Sequence, residues 1–246
     1  MDTALGLLIP FAIVSAIVLM GVVDWYRKKE LRDMRTLDLR ILAMDMGGEF
    51  IEDDKSVHSI LDKNSVAYVS NGNIRNVIQK QGLGYHAAVF DYSYLTGGKN
   101  KKTVNLTGIA LRFDQGGLPQ FKIAKKVFLD WLTLSGYPRV RSSDIPNWLK
   151  NRISIFAPAK LQDHVCNLVS DNSKIQDIVT DSNFRGLFCN DSRVVLYFYD
   201  QYEATEHGYI QTERFVDELV SIFGENAPDA ADWHSDIKLL KQTAQG

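Results

Sequence analysis

The run from Leu5 to Val23 contains no charged side chain, and its only polar interruptions are Pro10 and Ser15. Nineteen residues of helix rise about 28 Å, close to the ~30 Å hydrocarbon core of a bilayer. Pro10 falls in the first turns, where a missing backbone bond costs least. Trp25 and Tyr26 follow at once, as an interfacial aromatic belt does. The run therefore predicts a transmembrane anchor. A cleaved signal peptide would carry its bases before the apolar run. Here the leader is Met1-Asp2-Thr3-Ala4, and the bases Arg27, Lys28 and Lys29 come after. A buried core helix would leave that triplet without a purpose. Basic residues beside a span stay on the cytoplasmic side. The expectation is a single-pass protein of the cell inner membrane, N-terminus outside and C-terminus cytoplasmic.

About 220 residues remain after such an anchor, enough to bury a sizeable core. A composition 45% hydrophobic and 11% aromatic is that of a folded chain, and a net charge of -2 gives no reason to expect nucleic acid as partner. In a reducing cytoplasm the two cysteines, Cys166 and Cys189, are expected as free thiols packed in apolar stretches.

The organisation reads as an anchor over residues 1–26, a juxtamembrane helix over 27–48, a cytoplasmic α+β domain over 49–224 and a polar tail over 225–246. The domain has a candidate division near 135–150. In the juxtamembrane helix Leu31, Met34, Leu37, Ile41 and Met44 form one apolar stripe; the helix either leaves the bilayer as a stalk or docks this stripe on the domain, and a stripe of barely two heptads favours a core face over a coiled-coil seam. Gly47-Gly48 stops the helix. Ser56 to Leu61 reads as a short helix and Val66 to Val69 as a strand. His86 to Tyr94 alternates strictly, as a strand does. A turn at Thr96 to Asn100 returns the chain into a second strand from Thr103 to Phe113. Its apolar residues change phase at Thr107-Gly108, which predicts a β-bulge at Gly108. Phe121 and Ile123, then Ile153 to Phe156, suggest further strands, and Val127 to Trp131 is ambiguous. Lys160 to Val169 and Ile175 to Val179 read as helices. Arg185 to Cys189 and Arg193 to Tyr199 make a hairpin. Thr212 is read as the cap of a last helix, with Phe215, Leu219, Ile222 and Phe223 on its core face and Gly224 at its end. Hairpins without strand–helix–strand alternation argue for an antiparallel sheet packed with a few helices.

No local motif carries chemistry. Gly97-Gly98-Lys99-Asn100 is not a phosphate loop: position 93 is Ser, position 100 is Asn, and a strand follows. No Gly-x-Ser-x-Gly elbow occurs. His58, His86, His164, His207 and His234 are scattered, so neither a metal site nor a cofactor is expected. Glu49, Glu52, Asp53 and Asp54 read as a solvated loop. Asp91 shares a strand face with Val89. It is either a half-buried acid of functional interest or a solvent-facing acid paired with a lysine. Lys99, Lys101 and Lys102 at one hairpin tip, with Arg27, Lys28 and Lys29, form a candidate contact with anionic lipid, and Lys122, Lys125 and Lys126 are candidates to join them.

Val89-Phe90-Asp91-Tyr92-Ser93-Tyr94, then Gly98 to Thr103, then Leu118-Pro119-Gln120-Phe121 together resemble an uncharacterised family of bacterial single-pass membrane-anchored proteins. Asn71 to Val77 and the hairpin from Gly186 to Tyr199 are similar too. Where that family leads one to expect Arg-Pro-Glu, this chain has Ala124-Lys125-Lys126. The resemblance implies the architecture and no catalytic residue. The expected function is a non-enzymatic, membrane-tethered binding or assembly module with the bilayer and a protein as partners. The alternative is a membrane-bound hydrolase or transferase, marked by a deep pocket joining Asp91 to a histidine.

Overall fold

A computed structural model describes residues 2–45, 47–52, 72–96, 102–126, 137–141, 145–199 and 206–224, with side chains of the first helix from Val14 onward. Eight strands and four α-helices lie in these residues. The strands are β1 (Glu49–Ile51), β2 (Asn73–Gly82), β3 (Tyr85–Thr96), β4 (Lys102–Phe113), β5 (Leu118–Lys125), β6 (Ile153–Phe156), β7 (Phe184–Asp191) and β8 (Arg193–Tyr199). They form one sheet in the order β1-β2-β3-β4-β8-β7-β5-β6. Every pairing is antiparallel. The helices are α1 (Asp2–Asp45), α2 (Gln162–Asp171), α3 (Ser173–Thr180) and α4 (Glu206–Phe223). The α+β class and the antiparallel hairpins expected from alternation are present.

The apolar run and the juxtamembrane segment are one uninterrupted helix. Gly47, at φ 69°, ends it. Its amide donates to the Met44 carbonyl and that of Gly48 to the Ala43 carbonyl, the paired bonds that close a helix C-terminus. Described side chains from Val14 to Tyr26 are exposed, including Ile17, Leu19, Met20, Val23 and Trp25. Among the described residues no helix is long and apolar enough to cross a membrane. The side chains of the run from Leu5 to Ile13 lie outside the described set.

Both faces of the sheet are buried. On one, Ile109, Leu111 and Phe113 of β4 pack with Phe121, Leu187 and Leu196 against α2, α3 and α4. On the other, Leu106 and Ala110 pack with Phe90, Tyr92, Tyr94, Phe188 and Tyr197. This corrects the bulge expected at Gly108. The pairing of β4 with β3 and with β8 runs unbroken through that residue. The apolar phase changes because Leu106 and Ile109 serve different cores. Glycine is needed for close approach instead: a Cβ on Gly108 would lie 2.3 Å from the ring of Phe90, its partner across the ladder.

Bulges occur elsewhere, in β2 between Arg75 and Ile78, in β5 between Leu118 and Phe121 and in β7 between Phe184 and Gly186. In β2 the bulge holds Asn76 at φ 52°, a conformation asparagine tolerates better than most residues. It sends Ile74 and Val77 to the aromatic face and Ile78 toward α1. The broken alternation hid β2 from pattern reading. Glu49, read as part of a solvated loop, lies in edge strand β1.

Two helix faces differ from expectation. The stripe of Leu31, Met34, Leu37, Ile41 and Met44 is exposed, and α1 docks through Leu39, Leu42 and Ala43 against Ile78 and Phe50. Thr212 is not a cap: α4 starts at Glu206, and Thr212 is buried within it. The core face of Phe215, Leu219, Ile222 and Phe223 is as expected. The elements read at Ser56 to Leu61, Val66 to Val69 and Val127 to Trp131, the glycine–lysine turn at 97–101 and the tail from Glu225 lie outside the described residues.

Candidate functional site

Asp91 is buried in β3, where a carboxylate requires compensation. The compensation comes from α1. Arg35 Nε donates to Asp91 Oδ2 at 2.8 Å and Nη2 to Oδ1 at 2.7 Å, the two-pronged geometry that suits a guanidinium. Asn76 Nδ2 donates to Oδ2 at 2.8 Å. Its Oδ1 lies 3.0 Å from the Thr36 hydroxyl. The β2 bulge that aims Asn76 at Asp91 is itself pinned, since the Asn76 amide donates to the Glu52 carbonyl at 2.9 Å. Four residues from α1, β2 and β3 thus form one closed polar junction. Asp91 is therefore neither solvent-facing nor paired with a lysine.

A cavity of about 30 Å³ lies beside this junction, between Arg35 and Leu39 of α1, Asn76, Thr107 of β4, and Gly208 and Thr212 of α4. It has the size of a water molecule, far below the several hundred Å³ of a small-molecule site. Among the described residues no histidine lines it.

The junction fixes the direction of α1 on the sheet. Ala43 packs at Ile78, the partner of Val89, while Arg35 reaches Asp91, two residues further along β3. The N-terminal half of α1 therefore heads toward the end of the sheet where Thr96 pairs with Lys102. Arg27, Lys28, Lys29 and Lys102 are all exposed. Lys28 pairs with Asp24 at 2.7 Å, and Lys29 lies 5.8 Å from the centroid of the Trp25 ring. Lys99 and Lys101 fall outside the described residues.

The second group of lysines behaves differently from the expected surface patch. Lys122 is buried on the sheet, its ammonium 5.3 Å and 5.7 Å from the centroids of Tyr137 and Phe188. Lys125 donates to the Ser182 carbonyl and Lys126 to that of Lys150. A further buried base, Arg185, went unremarked in the sequence because nothing local distinguishes it. Its guanidinium stacks 3.6 Å from the centroid of Tyr199. Burial pulls Arg185 down to about 9, with Tyr94 opposing, and pushes Tyr94 up to about 12, with Arg185 opposing. Both cysteines are free and buried, and burial raises the Cys189 thiol further.

The fold is thus an antiparallel α+β sheet whose described helices pack on one side. A structure of this class is that of the mycobacterial trehalose monomycolate transport factor A, TtfA. The likeness has a TM-score of 0.53 at 11% identity and covers 76% of this chain and 95% of that one. At that identity the similarity is one of fold. No family model and no curated protein matches the chain.

Proposed function

We propose that this chain is a membrane-tethered binding or assembly module, anchored by Leu5 to Val23 with its sheet domain in the cytoplasm. The observation that carries the reading is the single helix α1. It continues from a segment with exposed apolar side chains into one clamped to the sheet through Arg35 and Asp91. A helix fixed in this way holds the domain at a set attitude to whatever surrounds its apolar half, which is the requirement of a tethered scaffold. Arg27, Lys28, Lys29, Lys99, Lys101 and Lys102 are the bases proposed to meet anionic headgroups, each contributing about 1 kcal/mol near such a surface. The occurrence of a similar fold in a transport factor supports the reading as well.

A reporter fused after Gly246 tests the tether and its direction. A cytoplasm-dependent reporter should be active and the chain should sediment with membranes after a high-salt wash. Activity of a periplasm-dependent reporter, or recovery of the chain in the soluble fraction, would overturn the reading.

A further inference from the structure

The side of α1 turned away from the sheet carries an apolar row. Met34, Leu37, Ile41 and Met44 are each at least half exposed. At 100° per residue they centre nearly opposite the docked face of Arg35, Leu39, Leu42 and Ala43. Their 3-4-3 spacing is that of the a and d positions of a two-stranded coiled coil.

We propose that this face packs against the same face of a second copy of the chain, forming a parallel two-helix seam from Met34 to Met44. The proposal rests on the tethered reading above. Two chains inserted in the same direction present α1 in parallel, so each of the four apolar residues meets its own counterpart across a two-fold axis. Confinement to one membrane raises the effective concentration, which lets a seam of only two heptads suffice. One pair of flanking charges favours the same pairing. Arg40 and Asp45 lie on opposite borders of the row, five residues apart, where the g and e positions of parallel partners meet. Arg40 now pairs with Glu52 at 3.2 Å, with both side chains at least half exposed, so exchanging that partner for Asp45 costs little. Asp33 and Asp38 meet in the same way one heptad earlier and repel, which keeps the seam weak and adjustable. The bilayer is a poor occupant of this face. Val23 to Met44 rises about 32 Å along an uninterrupted helix, well beyond the headgroup layer.

The test uses the full-length chain in native membranes, with single cysteines introduced as Leu37→Cys or Ile41→Cys and, off the row, Arg32→Cys. Under mild oxidation a disulfide-linked species of twice the chain mass should form at Leu37 and Ile41. It should be several times weaker at Arg32 and absent from the parent, whose own cysteines are buried. Asp38→Lys in the Leu37→Cys chain should increase the yield by replacing repulsion from Asp33 with attraction. Arg40→Asp should lower it, and adding Asp45→Arg should restore it. Membrane-bound chain without the Leu37 and Ile41 products overturns the seam and leaves the tether standing. Equal yield at Arg32, or an adduct with a different protein, overturns it too. Chain found in the soluble fraction sinks the tether instead, and the seam is then judged by the same products formed in solution.

Discussion

At the scale of single residues, Asp91 and Arg35 show why a buried ion pair is costly to break and cheap to replace. Their side chains are only 8% and 19% exposed. Removing one partner leaves the other charge uncompensated, a loss of roughly 3–5 kcal/mol. Asp91→Leu and Arg35→Met should each lower the unfolding free energy from denaturant titration by that order, while the double variant should recover most of it. Equal stability of the single variants and the parent would show that the junction contributes nothing. Gly108 makes the second residue-scale case. Phe90 lies across it in the ladder, and its ring also meets that of Tyr197 edge to face at 6.3 Å. Gly108→Val should cost about 1–3 kcal/mol by overpacking. In a Phe90→Ala background the penalty should shrink, since the clashing ring is gone. A penalty unchanged in that background would return the explanation to the backbone.

At the scale of elements, α1 is the instructive one. Its docked face is short, Arg35 to Ala43, and mixes a charge, a hydroxyl and small apolar groups. The stretch it contributes lies wholly after Glu30. A fragment starting at Glu30 should therefore fold in water without detergent, giving a native circular-dichroism spectrum and cooperative unfolding. A fragment starting at Gly48 loses Arg35, Leu39 and Ala43 together and leaves Asp91 buried without its counter-charge. It should unfold at markedly lower denaturant or fail to fold. An unfolded Glu30 fragment would mean that the domain depends on the apolar half of the helix.

At the scale of the whole molecule, a tethered chain would have its orientation set by the bases that follow the apolar run, Arg27, Lys28 and Lys29. Reversing the triplet as Arg27→Asp, Lys28→Asp and Lys29→Asp should scramble the orientation reported by the C-terminal fusion, because retention of bases on the cytoplasmic side is lost. An unchanged reporter signal would show that orientation is set elsewhere.

What the sequence determined was whatever depends on near neighbours. Alternation in His86 to Tyr94, the hairpin of Arg185 to Cys189 and Arg193 to Tyr199, the helical stripe of Phe215, Leu219, Ile222 and Phe223, and the glycine stop at Gly47-Gly48 are all local signals, and all are present. The tertiary structure decided the rest. Burial on both faces removes the alternation that marks a half-solvated strand, so β4 looked bulged, while the bulge at Asn76 broke the alternation of β2, which went unseen. The docked face of α1 was set by a partner for Asp91 rather than by its larger apolar stripe. Arg35 and Asp91 are 56 residues apart, and no local period links them. A buried carboxylate only signals that some donor must arrive. Which helix supplies it, and which of that helix's faces is left open, is fixed by the chain's path through space.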